Sequence, residues 1–133
     1  AQALGIAQGA IDEAKAYVQT RVQFGKRLAQ FQNIQFEMAD MQTKIDAARL
    51  LVYRAACAKD DHEPYSHLAA MAKLFASETA SDVTRRVVQI FGGYGYTRDY
   101  PVERMMRDSK ITEIYEGTSE VQKMVISSWM GVK

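Results

Sequence analysis

The chain has 133 residues, of which 47% are hydrophobic and 25% charged, with a formal net charge of +1. That length supports one domain with a single core, and the balanced charge excludes a strong field toward nucleic acid. A single cysteine, Cys57, excludes an internal disulfide framework and makes a reducing compartment the default reading, and no apolar run approaches the ~20 residues that span a membrane.

The first segment, AQALGIAQGAIDEAKAY, lacks the basic start of a signal peptide and carries Asp12 and Glu13 inside the run. It has no initiator methionine and begins already helical, as a fragment or a processed chain does. Leu4, Ala7, Ile11, Ala14 and Val18 step by three and four, the period of one helix face. Ala7 and Ala14 are small enough to let a neighbouring helix approach closely. QFGKRLAQFQ (23–32) then breaks the pattern at Gly25. A second helix is predicted through Ile34, Met38, Met41, Ile45, Ala48, Val52 and Ala55, with Cys57 as a buried small hydrophobe. DDHEPY (60–65) ends it, and Pro64 suits the first turn of a third helix. That helix runs through Leu68, Ala72, Ala76, Ala80, Val83, Val87 and Ile90. GGYGYTRDYP (92–101) caps it at Gly92 or Gly93. PVERMMRDSK (101–110) reads as a short helix opened by Pro101, and a last helix follows ITEIYEGTSEVQ (111–122). No strand pattern exceeds a few residues. The expected architecture is all-α, an antiparallel bundle of four main passes in one domain over residues 1–133, the fourth pass broken.

LLVY (50–53), VVQIF (87–91) and Phe36 are apolar beyond one stripe. Either a central helix or a second surface against another domain or subunit explains them. His62 and His67 flank one loop, and HEPYSH is one residue too long for a zinc motif, so no metal is expected. FGGYGYT matches no phosphate-binding pattern and follows no strand. Arg85, Arg86, Arg104, Arg107 and Lys110 are interleaved with Asp82, Glu103 and Asp108, which predicts an ion-pair surface rather than a nucleic-acid patch.

The stretch ITEIYEGTSEVQ has a different character. Ser119 and Gln122 have capping-box spacing, with Thr118 as the alternative N-cap. Gly117 permits a turn that a side chain would strain. The helix start offers unpaired N–H groups and a partial positive charge to a ligand's acceptor oxygens. Glu116 is then either an ordinary acid favoured by the helix dipole or a base, with Tyr115 beside it to shed water.

Three stretches in order, RVQFGKRLAQFQ (21–32), VVQIFGGYGYTRDYPVERMMRDSKI (87–111) and IYEGTSEVQ (114–122), carry a resemblance over the whole chain. It resembles the C-terminal helical domain of the acyl-CoA dehydrogenases, with the short-chain, butyryl-type branch most alike. The resemblance implies an FAD-dependent α,β-dehydrogenation of an acyl-CoA thioester. Glu116 would be the catalytic base, and its backbone N–H would bind the thioester carbonyl. Tyr115 and Gly117 would line the substrate pocket. Thr118 and Glu120 would contact the FAD of the same subunit, Glu120 through its backbone because some relatives carry glutamine there. Arg21, Phe24, Gln32, Gln89 and Gly93 would contact the FAD of the neighbouring subunit. Further implied are a homo-oligomer built as a dimer of dimers, an electron-transferring flavoprotein as partner, and a place in the bacterial cytoplasm or the mitochondrial matrix. The family's N-terminal helical and middle β domains have no counterpart in these residues. A non-enzymatic oligomerisation domain, or a flavoprotein acting on a branched or dicarboxylic acyl-CoA, are the alternatives.

Overall fold

The computed structural model describes residues 1–132. Five α-helices carry the chain: α1 (Gln2–Thr20), α2 (Gln32–Asp60), α3 (Ser66–Phe91), α4 (Val102–Ile111) and α5 (Ser119–Trp129). The expected all-α class holds, with one small exception. Val22–Gln23 and Lys26–Arg27 form β1 and β2, a two-residue antiparallel pair. Its tight loop, Phe24–Gly25, has both residues at positive φ (52° and 78°), the geometry that two-residue hairpins favour.

The centre of the bundle is α3, which packs against α1, α2, α4 and α5. Small residues make this possible. Ala7, Ala10 and Ala14 on α1 and Ala76 and Ala80 on α3 are almost fully buried in one cluster, so the helix backbones approach closely. Met41, Ile45, Val83, Val87 and Val102 fill the space between them. Each such side chain contributes ~1.5–3 kcal/mol by leaving water. The broken fourth pass is α4 followed by α5. Between α3 and α4 lies a buried hydroxyl pair, Thr84 Oγ1 to Ser109 Oγ at 2.9 Å. At the far end of the chain α5 packs chiefly on α3. There Trp129 stacks on His67 with ring centroids 4.3 Å apart and planes 8° from parallel.

Two local expectations are corrected. Cys57 is exposed, because Ala55 and Ala58 occupy the inward face of α2 and one helical step turns Cys57 away from it. Pro64 lies ahead of α3 rather than in its first turn, since Tyr65 is the N-cap. Gly92 is the C-cap of α3, at φ 62°. Gly95 is buried in the following 3₁₀ turn.

Arg85, Arg86, Arg107 and Lys110 form ion pairs, as expected of this surface, whereas Arg104 and Asp108 form none among the described residues. Arg86 on α3 meets Glu37 and Asp40 on α2 and Asp82 one turn earlier, and Lys44 reaches Asp82 at 2.9 Å. Burial pushes the Asp82 carboxyl up, but hydrogen bonds from Lys44, Arg85 and Arg86 and the Lys44 charge outweigh it and hold the carboxyl below its usual range. A carboxyl depressed in the folded state stabilises the fold above the unfolded value of ~3.9 and stops doing so as pH falls through the folded value. The urea midpoint of the chain is therefore expected to fall below about pH 4, and Asp82→Asn to fall less steeply there. Equal slopes in the two proteins would rule out this contribution.

A wide apolar face remains uncovered. Phe36, Leu50 and Tyr53 on α2 are more than half exposed, as are Met124 and Trp129 on α5. Of the apolar residues outside one stripe, Val87 and Phe91 belong to the core of the central helix α3, whereas Phe36, Leu50 and Tyr53 leave an apolar surface on α2.

Candidate functional site

The loop between α4 and α5 is wound tightly. Tyr115 N–H donates to Ile111 C=O at 3.1 Å, and Ser119 N–H reaches back to Glu113 C=O at 3.0 Å. Between these anchors Glu116 has φ 56° and Gly117 φ 99°. The left-handed region costs a residue with a side chain ~1–3 kcal/mol and is kept where its surroundings over-determine it. Gln122 supplies part of that constraint, with Nε2 donating to Gly117 C=O at 3.0 Å. The turn leaves the N–H groups of Glu116 and Gly117 without a partner among the described residues. Two adjacent free donors in this conformation suit a carbonyl or oxyanion.

Gln122 is thus spent on the loop carbonyls, and the Ser119–Gln122 capping box does not form. The N-cap of α5 is Thr118, whose Oγ1 accepts from Val121 N–H at 3.5 Å. Glu120 stands in the first turn, exposed. Hydrogen bonds from its own N–H and from Thr118 hold its carboxyl below the usual range. Its negative charge already sits on the helix start, so a second anion there would meet backbone donors rather than this side chain.

A cavity of about 250 Å³ opens under the loop, lined by Gln2 on α1, Ala72, Lys73 and Ala76 on α3, and Tyr115 and Glu116. Tyr115 is partly buried and its hydroxyl donates to Gln2 Oε1. Glu116 is exposed. Within this chain Tyr115 therefore does not shield the carboxylate from water, because its ring is tied toward α1. The Lys73 Nζ is buried and has no hydrogen-bond partner among the described residues. Sequence reasoning passed over Lys73. Its one signal is a lone cation in the small, apolar run HLAAMAKLFA (67–76).

The remaining predicted residues lie at the other end of α3. Arg21 and Gly93 line a cleft of about 530 Å³ together with Tyr17, Phe91 and Tyr94. The Arg21 guanidinium lies 5.1 Å from the centre of the Tyr94 ring. A Cβ at Gly93 would meet nothing within 4 Å, so its backbone faces open space. Gln89 faces an adjoining cleft with Asn33 and Arg86. Gln32 is the first residue of α2. Phe24 projects from the hairpin tip, 91% exposed, with Phe31 edge-on at 6.4 Å. Lys73, beside Glu116, and Gln89 are sixteen residues apart on α3, about 24 Å at 1.5 Å per residue. The structure brings Tyr115, Glu116, Gly117, Thr118 and Glu120 together on one loop. It brings Arg21 and Gly93 together in one cleft, and it keeps the two sets apart.

Residues 1–131 match the family described as acyl-CoA dehydrogenase, C-terminal domain. A short-chain-specific acyl-CoA dehydrogenase of Clostridium acetobutylicum is 64% identical over 127 residues, which is 96% of this chain and 34% of that protein. Butyryl-CoA dehydrogenase of Megasphaera elsdenii superposes with a TM-score of 0.96 at 56% identity, covering 97% of this chain and 34% of its own. A solved structure described under "Electron transferring flavoprotein of Acidaminococcus fermentans: Towards a mechanism of flavin-based electron bifurcation" gives 0.96 at 59% identity over 97% of this chain and 34% of that one. The chain thus spans about a third of the length of the relatives it matches.

Proposed function

The chain belongs to the acyl-CoA dehydrogenase family, and from that premise we propose that residues 1–133 are the C-terminal helical domain of an FAD-dependent enzyme that desaturates an acyl-CoA thioester between its α and β carbons. The observation that carries the reading is the loop geometry. A carboxylate is held in a strained conformation, over a cavity, directly beside two free N–H donors.

The residues fit the roles this assigns. Glu116 removes the α-proton, its carboxylate exposed on the loop. The unpaired N–H of Glu116 donates to the thioester carbonyl and stabilises negative charge as it develops there. Tyr115 and Gly117 bound the substrate side of the loop. FAD, when bound, supplies the acceptor for the hydride lost from the β carbon. Thr118 and the backbone at Glu120 would hold it within the same subunit, at a helix N-terminus suited to a pyrophosphate. Arg21, Phe24, Gln32, Gln89 and Gly93 would hold the cofactor of the neighbouring subunit. The chemistry of the second cleft suits that group: a guanidinium for phosphate, an aromatic face and an open glycine backbone. The ~24 Å along α3 between the two sets supports their service to different cofactors. The uncovered face of α2 supports a homo-oligomer, a dimer of dimers.

The electron acceptor would be an electron-transferring flavoprotein, in the bacterial cytoplasm or the mitochondrial matrix. Residues 1–133 alone are expected to fold but to hold FAD weakly and turn nothing over, since the walls from the other domains are missing. The test uses the complete protein. It should purify yellow, bleach on anaerobic addition of butyryl-CoA and be reoxidised by an electron-transferring flavoprotein. A colourless complete protein would support a non-enzymatic helical domain. Bleaching only by branched or dicarboxylic thioesters would move the substrate class, and no bleaching by any acyl-CoA would overturn the reading.

A further inference from the structure

We propose that Lys73 is a positioning residue for Glu116: its buried ammonium on α3 takes up the Glu116 carboxylate across the cavity they share and parks the base there between turnovers. This rests on the reading of Glu116 as the base. A buried ammonium with no partner is costly, and the cost is relieved by an anion or acceptor within reach. The other polar groups of the cavity wall are engaged. Gln2 Oε1 accepts from Tyr115. The hydroxyls of Ser77 and Thr112 donate to the carbonyls of Leu74 and Ser109, at 3.1 and 2.7 Å. Glu113, on the same loop, is held by Lys110 at 2.5 Å. Glu116 is the one carboxylate lining the cavity, and among the described residues its side chain makes no hydrogen bond or ion pair. Two opposite charges without partners thus border one space of about 250 Å³.

The other elements around the cavity add little charge. From α2 come only Val52 and Ala55, and from the start of α1 only Ala1, Gln2 and Ala3. Lys73 also acts on Glu113. Burial pushes that carboxyl up, but hydrogen bonding from Lys110 and Ser81 and the charges of Lys110 and, least, Lys73 bring it below its usual range. Lys73 therefore already works on this loop electrostatically. When acyl-CoA enters, the carboxylate turns about its side-chain bonds from the ammonium to the α-proton. Glu116 is the moving part and Lys73 the fixed one.

The test has two arms in the complete enzyme. The first is the acylation rate of Lys73 by an amine-reactive ester, read by mass spectrometry with Lys110 as internal control. An amine held by a carboxylate is a poorer nucleophile than a free one, so Glu116→Gln should raise labelling of Lys73 several-fold and leave Lys110 unchanged. The second is the pH dependence of flavin bleaching by butyryl-CoA. Lys73→Met should move its acidic limb upward, because the carboxylate loses its cation, and Lys73→Arg should restore it. Unchanged labelling of Lys73 in Glu116→Gln overturns the proposal, as does an unmoved limb in Lys73→Met. If Lys73→Met does not fold, the labelling arm decides alone. Normal bleaching in Glu116→Gln would instead remove Glu116 as the base, an outcome the labelling arm does not depend on.

Discussion

Glu116→Gln in the complete enzyme is expected to keep its flavin and its acyl-CoA affinity and to lose flavin bleaching by butyryl-CoA by at least ~10²-fold, the lower range for a positioned general base. The amide has the size of the carboxylate and the same left-handed backbone to adopt, so the loop at φ 56° and 99° should persist. The Glu116 N–H also remains to hold a thioester carbonyl. What disappears is the proton acceptor. Thr118→Ala separates this from scaffold effects. It removes the oxygen that caps Val121 N–H and should cost up to ~1 kcal/mol, with normal bleaching of whatever flavin stays bound. Single-turnover bleaching is the measurement that counts. A rate in Glu116→Gln within a few-fold of the parent would place the base elsewhere.

Gly95→Ala is the change expected to damage the fold most for one added methyl. An ideal Cβ there would lie 2.6 Å from the Val88 carbonyl oxygen and 2.7 Å from the Phe91 Cβ. Both belong to the last turns of α3, so no flexible side chain can yield and the backbone must move. Overpacking of this kind costs ~1–3 kcal/mol, and the upper end is expected because a helix C-terminus is displaced. Gly93→Ala is the control, since its Cβ would meet nothing within 4 Å. The urea midpoints of the two variants should differ widely. If Gly95→Ala unfolds within ~0.5 kcal/mol of the parent, the 3₁₀ turn has slack that the packing does not suggest.

The helices were legible because their apolar steps of three and four are long and unmixed: Leu4 to Val18 on α1 and Leu68 to Val87 on α3 all prove buried. The hairpin at Val22–Arg27 was not, because two residues per strand carry no alternation to detect. Cys57 was misplaced for a related reason. Small residues surround it on both sides of the helix, and composition alone does not say which side faces inward. At the site, physics applied to the sequence reached the helix start and the glycine, but left Glu116 between an ordinary acid and a base. The resemblance supplied its role. Lys73 was invisible because its meaning depends on a cavity that closes between residues 2, 73 and 116, far apart in the chain.

The stack of Trp129 on His67 has a practical consequence. Trp129 is the sole tryptophan of the chain, and it sits at the end of the helix whose main attachment is a single neighbour. Its indole emission is therefore a private optical channel for that helix, quenched by ring contact and released by separation. Where the emission change precedes the loss of far-ultraviolet circular dichroism, the C-terminal end has peeled away while the remaining helices still stand.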